Sequence, residues 1–354
     1  ELRFAFRGRA LRDMEVCRLG LIVLHPVDAM VGSLIKVSEG SFEQVRTIGR
    51  QLAPQPMIEG IPGAMTEPFT RLAIEREEWG HLLLTFDGDS FELEDQRNWG
   101  DASFKTYCTP LRKGFPRPVK QGTVVAHNVE LHFTPAAAPI SVVTASDRAA
   151  KSLTEPVLSL GRVWRASSNQ GAATDDDASW DHLHVDVATL TASTLRRLLE
   201  SSPAKQFEIA LPTELPRPAM IEWTAQLIEH RDRIARVLLY ASSVPSAQAI
   251  EVLNELLNGR SAAQPLPLYA ATRGYFVELN RSLPLVAPLA GIAFPLTATV
   301  HSDDVQTVMS NVRTARDMAE TARCLVEGAE IALAPLALYH PQSATPTSLS
   351  REDT

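Results

Sequence analysis

The stretch that decides the fold reads Phe207-Glu208-Ile209-Ala210-Leu211, and two similar short apolar runs follow it at residues 236–240 and 267–271. The segments between these runs lack hairpin turns and are long enough to form helices at residues 218–235 and 246–257. Strands that alternate with helices pair in parallel and are joined by right-handed crossovers. The sequence therefore predicts an α/β fold for this part of the chain.

The same alternation extends in both directions along the chain. Further apolar runs lie at residues 157–163, 183–187, 290–294 and 331–336, and further helical segments lie at residues 192–200 and 304–326. These runs make seven candidate strands of a TIM-type (β/α)₈ barrel, which needs eight to close. Either the sheet is open, or another segment supplies the last strand, or the chain is cut short. Residues 342–354 are rich in Ser and Thr without an apolar pattern, and we expect a disordered tail there.

The first third of the chain has the pattern of antiparallel β-structure. Short apolar runs are separated by Gly, Pro and Asp, and residues 82–93 are typical of a hairpin that turns at Asp87-Gly88. An apolar connector bounded by prolines follows at residues 134–139. The sequence thus predicts a β-sandwich-like domain at residues 1–135, a barrel domain at residues 140–341 and the tail at residues 342–354.

Composition excludes several classes of protein. Of 354 residues, 34 are Lys or Arg and 42 are Asp or Glu, so the net charge is −8, and no basic run offers a surface for nucleic acid or an anionic membrane. No apolar stretch approaches the ~20 residues that span a bilayer. Cys17, Cys108 and Cys324 are isolated, which favours neither a disulfide framework nor a zinc ribbon and fits a cytoplasmic location. The chain begins in a strand pattern without Met, from which we expect that residues are missing upstream.

The densest polar segment is residues 91–107, in which charged groups alternate with aromatic rings. Aromatic rings stack on sugar C–H faces while charged groups bind hydroxyls, so the segment predicts a sugar site. The candidate substrate-binding residues are Arg97, Asn98, Trp99, Lys105 and Tyr107. The alternative is a salt-bridged structural loop between domains.

Together with Leu24-His25-Pro26, residues 276–281 and Val300-His301-Ser302-Asp303-Asp304, this segment resembles the D-apionate lactonase (D-apionolactonase) family. The resemblance implies a β-rich N-terminal domain, a TIM-type barrel and a further C-terminal domain. It also implies opening of the D-apionolactone ring in bacterial catabolism of the plant sugar apiose. Members of the family are longer at both ends, and their eighth strand carries a Tyr-Tyr-Glu-Thr-type segment without a counterpart here. We therefore expect a truncated or divergent member.

Glu278 follows the fifth candidate strand, where barrels place their functional groups. Lactone hydrolysis needs a base for water and donors for the oxyanion, so we predict Glu278 as the base and Asn280 and Arg281 as the donors. The alternative is an exposed carboxylate at a helix start. His301 is predicted to assist proton transfer or to bind hydroxyls, whereas Asp303 and Asp304 are expected to cap the following helix.

His182, His184 and Asp186 alternate along one predicted strand and thus point to the same side. Asp186 matches the lactonase family and is the third candidate catalytic residue. A metal-dependent hydrolase that uses these residues and His301 is an alternative, although His184 replaces the family's Arg. A glycoside hydrolase that uses Glu208 or Glu214 as a second carboxylate is another.

The remaining expectations concern partners. No nucleotide-binding, P-loop or serine-hydrolase motif is present in the sequence, which predicts no cofactor and no metal. The expected partner is a small-molecule sugar lactone, with no nucleic acid and no membrane, and a homo-oligomer stays open. A third alternative is a non-catalytic protein that binds carbohydrate and kept the scaffold.

Overall fold

The computed structural model describes residues 1–136, 159–164, 178–259, 264–282, 287–326 and 328–337. The predicted tail at residues 342–354, the Asp175-Asp176-Asp177 turn and most of the connector at residues 134–139 lie outside the described residues. By their internal contacts, the residues fall into two compact units. Unit 1 consists of residues 1–153 and 301–321, and unit 2 consists of residues 154–300 and 322–354.

Unit 1 is built from antiparallel strands. They are β1 (Leu2–Arg9), β2 (Met14–Val16), β3 (Ile22–Pro26), β4 (Leu34–Glu39), β5 (Phe42–Thr47), β6 (Met57–Ile58), β7 (Ile61–Pro62), β8 (Arg71–Arg76), β9 (Gly80–Asp87), β10 (Glu92–Asp95), β11 (Ser103–Tyr107), β12 (Arg117–Val119) and β13 (Val124–Pro135). A short helix, α1 (Val27–Met30), follows β3, and 3₁₀ turns cover Gln96–Trp99 and Leu111–Lys113. Unit 1 also contains the first seventeen residues of the long helix at Val305–Leu325.

Two of these sheets share one apolar core. The larger has the order β1-β13-β9-β8-β4-β5, and the smaller has the order β10-β11-β3. Leu84 and Val129 of the larger sheet pack in the same cluster as Leu93 and Phe104 of the smaller one. Side chains of two sheets that interdigitate in this way form a β-sandwich-like fold, as predicted.

The predicted hairpin at residues 82–93 is wrong. β9 pairs with β8 and β13, whereas β10 pairs with β11, so the chain leaves one sheet at Gly88 and enters the other. Gly88 has a positive φ of 99°, which fits the Asp-Gly turn signal, but the turn changes sheets. Both edges of β9 are already paired, and burial of Phe91 in the shared core holds the chain on the opposite sheet.

Unit 2 contains parallel strands separated mostly by helices. Its strands are β14 (Gly161–Val163), β15 (His182–Asp186), β16 (Phe207–Pro212), β17 (Ile234–Tyr240), β18 (Leu268–Ala271), β19 (Gly291–Thr297) and β20 (Glu330–Ala337). Its helices are α2 (Ala192–Ser201), α3 (Arg217–Glu229), α4 (Ala247–Asn258) and α5 (Phe276–Ser282), and the long helix at Val305–Leu325, here α6, ends in this unit. Short 3₁₀ turns lie at Val187–Thr189 and Arg231–Arg233.

The strands of unit 2 form one parallel sheet in chain order from β14 to β20, seven strands within the described residues. Both faces of the inner strands of this sheet are largely buried, as expected for a parallel sheet, whereas β14 and β20 keep exposed residues. Leu183, Ile209 and Val237 face the helices, whereas the other face brings Ala210, Leu238, Tyr269, Ala293 and Ala332 of five successive strands into one cluster. The sheet is therefore curled into a nearly closed TIM-type barrel, which confirms the predicted fold class.

Two helices differ from the prediction. The predicted helix at residues 218–235 ends at Glu229, because a 3₁₀ turn at Arg231–Arg233 leads into β17 at Ile234. Neither Gly nor Pro marks the end of this helix, so the sequence carries no stop signal and the predicted helix extended too far. α5 is too short to show a helical period, and a helix start at Glu278 was expected only as the alternative to its catalytic role. None of the described helices combines the length and the apolar character needed to cross a bilayer.

Candidate functional site at the barrel mouth

The carboxyl ends of the barrel strands bring several polar side chains together. Asp186 is the last residue of β15 and Tyr240 the last of β17, and Thr272 and Arg273 follow β18 directly. Parallel strands of a barrel end at the same rim, and this rim carries the active sites of TIM-barrel enzymes. The candidate site therefore lies within unit 2, at the C-terminal rim of its sheet.

Asp186 and Arg273 form a two-pronged ion pair at this rim. Arg273 Nη1 donates to Asp186 Oδ2 at 2.6 Å, and Arg273 Nη2 donates to Oδ1 at 3.0 Å. The guanidinium also lies over the Tyr240 ring, 4.5 Å from its centroid. The two side chains keep 22% and 31% of their surfaces exposed, so a small molecule can reach both charges. A paired fork of this kind fixes the direction in which Arg273 points.

Glu278 is held at the same rim by a neutral donor. It lies in the first turn of α5, half-buried, and Thr272 Oγ1 donates to its Oε2 at 2.7 Å. The backbone N–H of Gly274 donates to Thr272 Oγ1 at 3.0 Å, which orients the hydroxyl toward the carboxylate. Gly274 makes room for this arrangement, because a Cβ at that position would overlap the Glu278 carboxylate.

Arg281 adds a second cation close to Glu278. Burial lowers the pKa of Arg281, and the negative charge of Glu278 opposes that shift. Asn280, its neighbour on α5, is only 4% exposed. The rim thus offers a half-buried carboxylate that can accept a proton from water, together with cations that can balance a developing oxyanion.

A different polar cluster lies at the other end of the same strands. Glu208, which is 2% exposed, accepts hydrogen bonds from His184 Nδ1 at 2.7 Å and from Arg236 Nε at 2.5 Å. Burial opposes ionisation of Glu208, but the bonds and charges of His184 and Arg236 outweigh it and lower its pKa to about 2. His182 lies 3.8 Å from Glu208 and fills the space beside Gly161, where a Cβ would overlap its ring.

This cluster bears on the metal-dependent alternative. His182 and His184 turn toward Glu208, whereas Asp186 turns toward Arg273. The alternation along β15 was predicted correctly, but His182 begins the strand and His184 lies at its middle, whereas Asp186 ends it. Among the described residues of unit 2, the two histidines bond or approach Glu208 and Asp186 bonds Arg273, so these three side chains do not form one cluster of ligands.

His301 belongs to unit 1. Its Nδ1 is bonded to a carboxylate oxygen of Asp101, and 55% of its side chain is exposed. Asp101 also accepts a bond from Asn311 of α6 at 3.3 Å. Asp304 accepts a bond from Thr307 N at 2.9 Å, so its predicted use as a helix cap is confirmed.

The polar segment at residues 91–107 forms an internal network of unit 1. Arg97 is fully buried and donates to both oxygens of Asp95, at 2.9 and 2.7 Å, and to Asp317 Oδ2 of α6 at 2.9 Å. It also donates to the backbone oxygen of Arg50 at 2.8 Å. These bonds occupy the guanidinium, so contact with a substrate would require the network to open.

The other predicted sugar-binding residues are held in the same way. Asn98 donates to the backbone oxygen of Ala53 at 2.9 Å, and Lys105 pairs with Glu94 at 2.8 Å. Tyr107 donates to Glu92 at 2.9 Å, and burial raises its pKa. Trp99 lines a recess of about 10 Å³, which has room for about one water molecule. The geometry favours the salt-bridged structural loop among the two readings of this segment.

The structure therefore brings Asp186, Glu278, Asn280 and Arg281 into unit 2, and the other predicted site residues into unit 1. Sequence reasoning missed Thr272, Arg273 and Tyr240 as members of the site. The available signal was their position at the ends of β17 and β18, which the barrel rule marks as functional.

Comparison with known proteins gives two matches to one family. A model of the D-apionate lactonase N-terminal domain matches residues 1–136, and a model of the D-apionate lactonase TIM barrel domain matches residues 181–352. A D-apionate lactonase of Brucella anthropi is 30% identical over 121 residues, which are 34% of this chain and 18% of the relative. The chain thus matches less than a fifth of the length of that relative.

Among solved structures, a ruminal GH26 endo-β-1,4-mannanase aligns with 94% of this chain and 78% of its own. The identity is 8% and the TM-score is 0.29, so this similarity supports no conclusion about fold or function.

Proposed function

Because the chain belongs to the D-apionate lactonase family, we propose that it is a carboxylic ester hydrolase that opens a sugar lactone. The proposed substrate is D-apionolactone and the proposed product D-apionate, in the catabolism of apiose. The observation that carries the proposal is the Glu278 carboxylate, half-buried at the C-terminal rim of the barrel and oriented by Thr272.

In the proposed reaction, Glu278 takes a proton from a water molecule as the water oxygen attacks the lactone carbonyl carbon. The carbonyl oxygen becomes an oxyanion in the tetrahedral intermediate. When the intermediate collapses, the ring C–O bond breaks, and the proton held by Glu278 passes to the departing ring oxygen. The products are one carboxylic acid, which ionises, and one hydroxyl, both on the same open-chain molecule.

The proposal assigns stabilisation of the oxyanion to Arg273, with Arg281 as a second cation near the base. Arg273 is partly exposed, and its pairing with Asp186 and its stacking on Tyr240 fix its direction before substrate arrives. Donors that are already oriented need little reorganisation as charge develops, which is how such groups lower a barrier. Asp186 is then a positioning residue. Asn280 is only 4% exposed, so the proposal gives it a role in stabilising α5 and no contact with the substrate.

A pH-stat assay against D-apionolactone and several common aldonolactones tests the proposal. We expect acid release from D-apionolactone well above the spontaneous rate, and a loss of roughly 10²–10⁴-fold in Glu278→Gln, the range typical of a removed general base. Glu255→Gln, which changes an exposed carboxylate of α4, is the matched control and should keep full activity. Full activity in Glu278→Gln would show that another group is the base.

Two further arms separate the alternatives. Activity that disappears with a chelator and returns with a divalent metal would favour a metal-dependent hydrolase, and turnover of apiosides in place of the free lactone would favour a glycoside hydrolase. Binding of D-apionolactone by calorimetry without turnover, in protein that circular dichroism shows to be folded, would favour the non-catalytic alternative.

A further inference from the structure

Unit 1 contains a cluster of three potential metal ligands far along the chain from any proposed site residue of the barrel. Asp89 follows β9, Cys108 follows β11, and His127 lies on β13. Cys108 is 1% and His127 is 3% exposed, and 15% of the Asp89 side chain is exposed. Three separate elements of the β-rich unit thus bring a thiol, an imidazole and a carboxylate to one buried point.

The ligand atoms are spaced almost as a metal ion would hold them. Cys108 Sγ lies 3.5 Å from Asp89 Oδ2 and 3.7 Å from His127 Nε2, and the three ligand atoms all lie within 4.8 Å of one another. Around a tetrahedral zinc ion, bonds of 2.0–2.3 Å put neighbouring ligand atoms about 3.5 Å apart. Two of the three separations are close to that value, and the third, which is at most 4.8 Å, would have to shorten when an ion binds.

Each ligand has an atom available for the centre of the cluster. The other oxygen of Asp89, Oδ1, is bonded to Lys113 Nζ and accepts from Ser90 N at 2.8 Å, which leaves Oδ2 facing the thiol. The imidazole of His127 has the thiol beside its Nε2, and its buried Nδ1 has no hydrogen-bond partner among the described residues. With the proton on Nδ1, the lone pair of Nε2 faces the thiol and can bind an ion.

We propose that Asp89, Cys108 and His127 bind one divalent transition-metal ion of the zinc class. A thiolate with an imidazole selects zinc, cobalt and similar ions over the hard cations magnesium and calcium. Binding converts the Cys108 thiol to a thiolate, and its proton leaves to solvent, so one proton is released for each metal bound. Water completes the coordination, and Lys113 supports the carboxylate from outside.

The ion would cross-link unit 1 internally while keeping a water in its fourth position, as open zinc sites do. The ion would tie the turn after β9 and the end of β11 to the middle of β13, and thus link the two sheets that share the core. Burial raises the pKa of the Cys108 thiol to about 12, so the metal-free cluster holds a neutral thiol. This inference does not depend on the proposed lactonase function.

Cobalt titration of the tag-free, 354-residue chain tests the proposal directly. The protein is first dialysed against a chelator and then against chelator-free buffer, and Co²⁺ is added while the thiolate-to-cobalt charge-transfer absorption is recorded. We expect the band to saturate at one Co²⁺ per chain, Zn²⁺ to displace it, and elemental analysis of the dialysed zinc complex to give one zinc per chain. Absence of the band and of retained zinc would overturn the proposal.

Variants identify the ligands. Cys108→Ser should abolish the band, and Asp89→Asn should weaken Co²⁺ binding by at least tenfold, since even residues outside the ligand shell commonly contribute about 10–100-fold. The matched controls are Cys17→Ser with Cys324→Ser, which remove the exposed thiols, and His132→Gln on the same strand as His127. A band that survives Cys108→Ser, or that disappears in the controls, would refute the assignment. If Cys108→Ser does not fold, Asp89→Asn and the wild-type stoichiometry decide the question.

Discussion

Glu208 should make the free energy of unfolding depend on pH in the acidic range, and Glu208→Gln should remove this dependence. The carboxylate is almost fully buried, and its bonds to His184 and Arg236 lower its pKa from the ordinary value of 4.5 to about 2. A group whose pKa is lower in the folded state stabilises the fold above its unfolded pKa, and this contribution disappears as the pH falls through the folded pKa. The relevant window therefore runs from about pH 5 down to about pH 2.

The size of the effect follows from the shift. A difference of about 2.5 pKa units corresponds to roughly 3 kcal/mol at neutral pH, and at pH 3 about half of it remains. Glu208→Gln removes the ionised group and leaves Arg236 without its counter-charge. Removing one partner of a buried ion pair typically costs about 3–5 kcal/mol, which agrees with the free energy that follows from the lowered pKa.

Urea unfolding followed by circular dichroism, at pH 7 and at pH 3, measures this directly. We expect Glu208→Gln to be less stable than the wild type by about 3 kcal/mol at pH 7 and by clearly less at pH 3. Glu222→Gln, which changes an exposed carboxylate on α3, should match the wild type at both values. A wild-type advantage that is equal at both pH values, or that is under about 1 kcal/mol at pH 7, would refute the reasoning.

Three further predictions concern the two units. Gly274→Ala should reduce lactone turnover by tenfold or more, because the added methyl group displaces the Glu278 carboxylate and small misplacements near a reacting centre can cost about 10²-fold. Gly49→Ala, where a methyl group has space, is the control and should keep the wild-type rate. Equal rates in the two variants would contradict this prediction. Arg273→Met should lower kcat/KM for the lactone by roughly 10²–10³-fold in steady-state assays, and an unchanged value would exclude Arg273 as the oxyanion donor. Arg97→Met should lower the free energy of unfolding in urea by about 3–5 kcal/mol, because it leaves the buried Asp95 and Asp317 without their counter-charge. The control Arg50→Met removes an exposed side chain that bonds the same Asp317, and it should change the free energy of unfolding by only about 0–1 kcal/mol. Equal effects would show that burial is not the cause.

The barrel could be predicted from the sequence because its signals are local. Each strand is a short apolar run, and helices α2 and α4 begin at capping side chains, Thr191 and Ser246, which accept from Thr194 N and Ala249 N. The hairpin at residues 82–93 failed for the opposite reason. Its turn residues were read correctly, but β9 pairs with β8, which directly precedes it, and with β13, which lies far along the chain. Both edges of β9 are thus taken, and no local pattern specifies the pairing with β13.

The site was predictable only in part. Glu278 could be named because it follows a strand, whereas the pairing of Asp186 with Arg273 joins residues 87 positions apart and depends on closure of the sheet. The polar segment around Arg97 predicts a sugar site from composition, which does not reveal burial, and this stays a prediction. In the structure its charges neutralise one another inside unit 1, where an unpaired charge would be costly.

The glycines beside the polar side chains have a consequence for comparing relatives. Gly161 leaves space for His182 and Gly274 for Glu278, and Gly20 does the same for His127. In each pair, the partner side chain fills the space that a side chain at the glycine position would need, so the two positions should vary together across the family. A relative that carries a larger residue at the glycine position should have a smaller or redirected side chain at its partner. Such glycines would therefore identify which relatives keep the same arrangement of polar groups, because the polar residue type alone can recur without that arrangement.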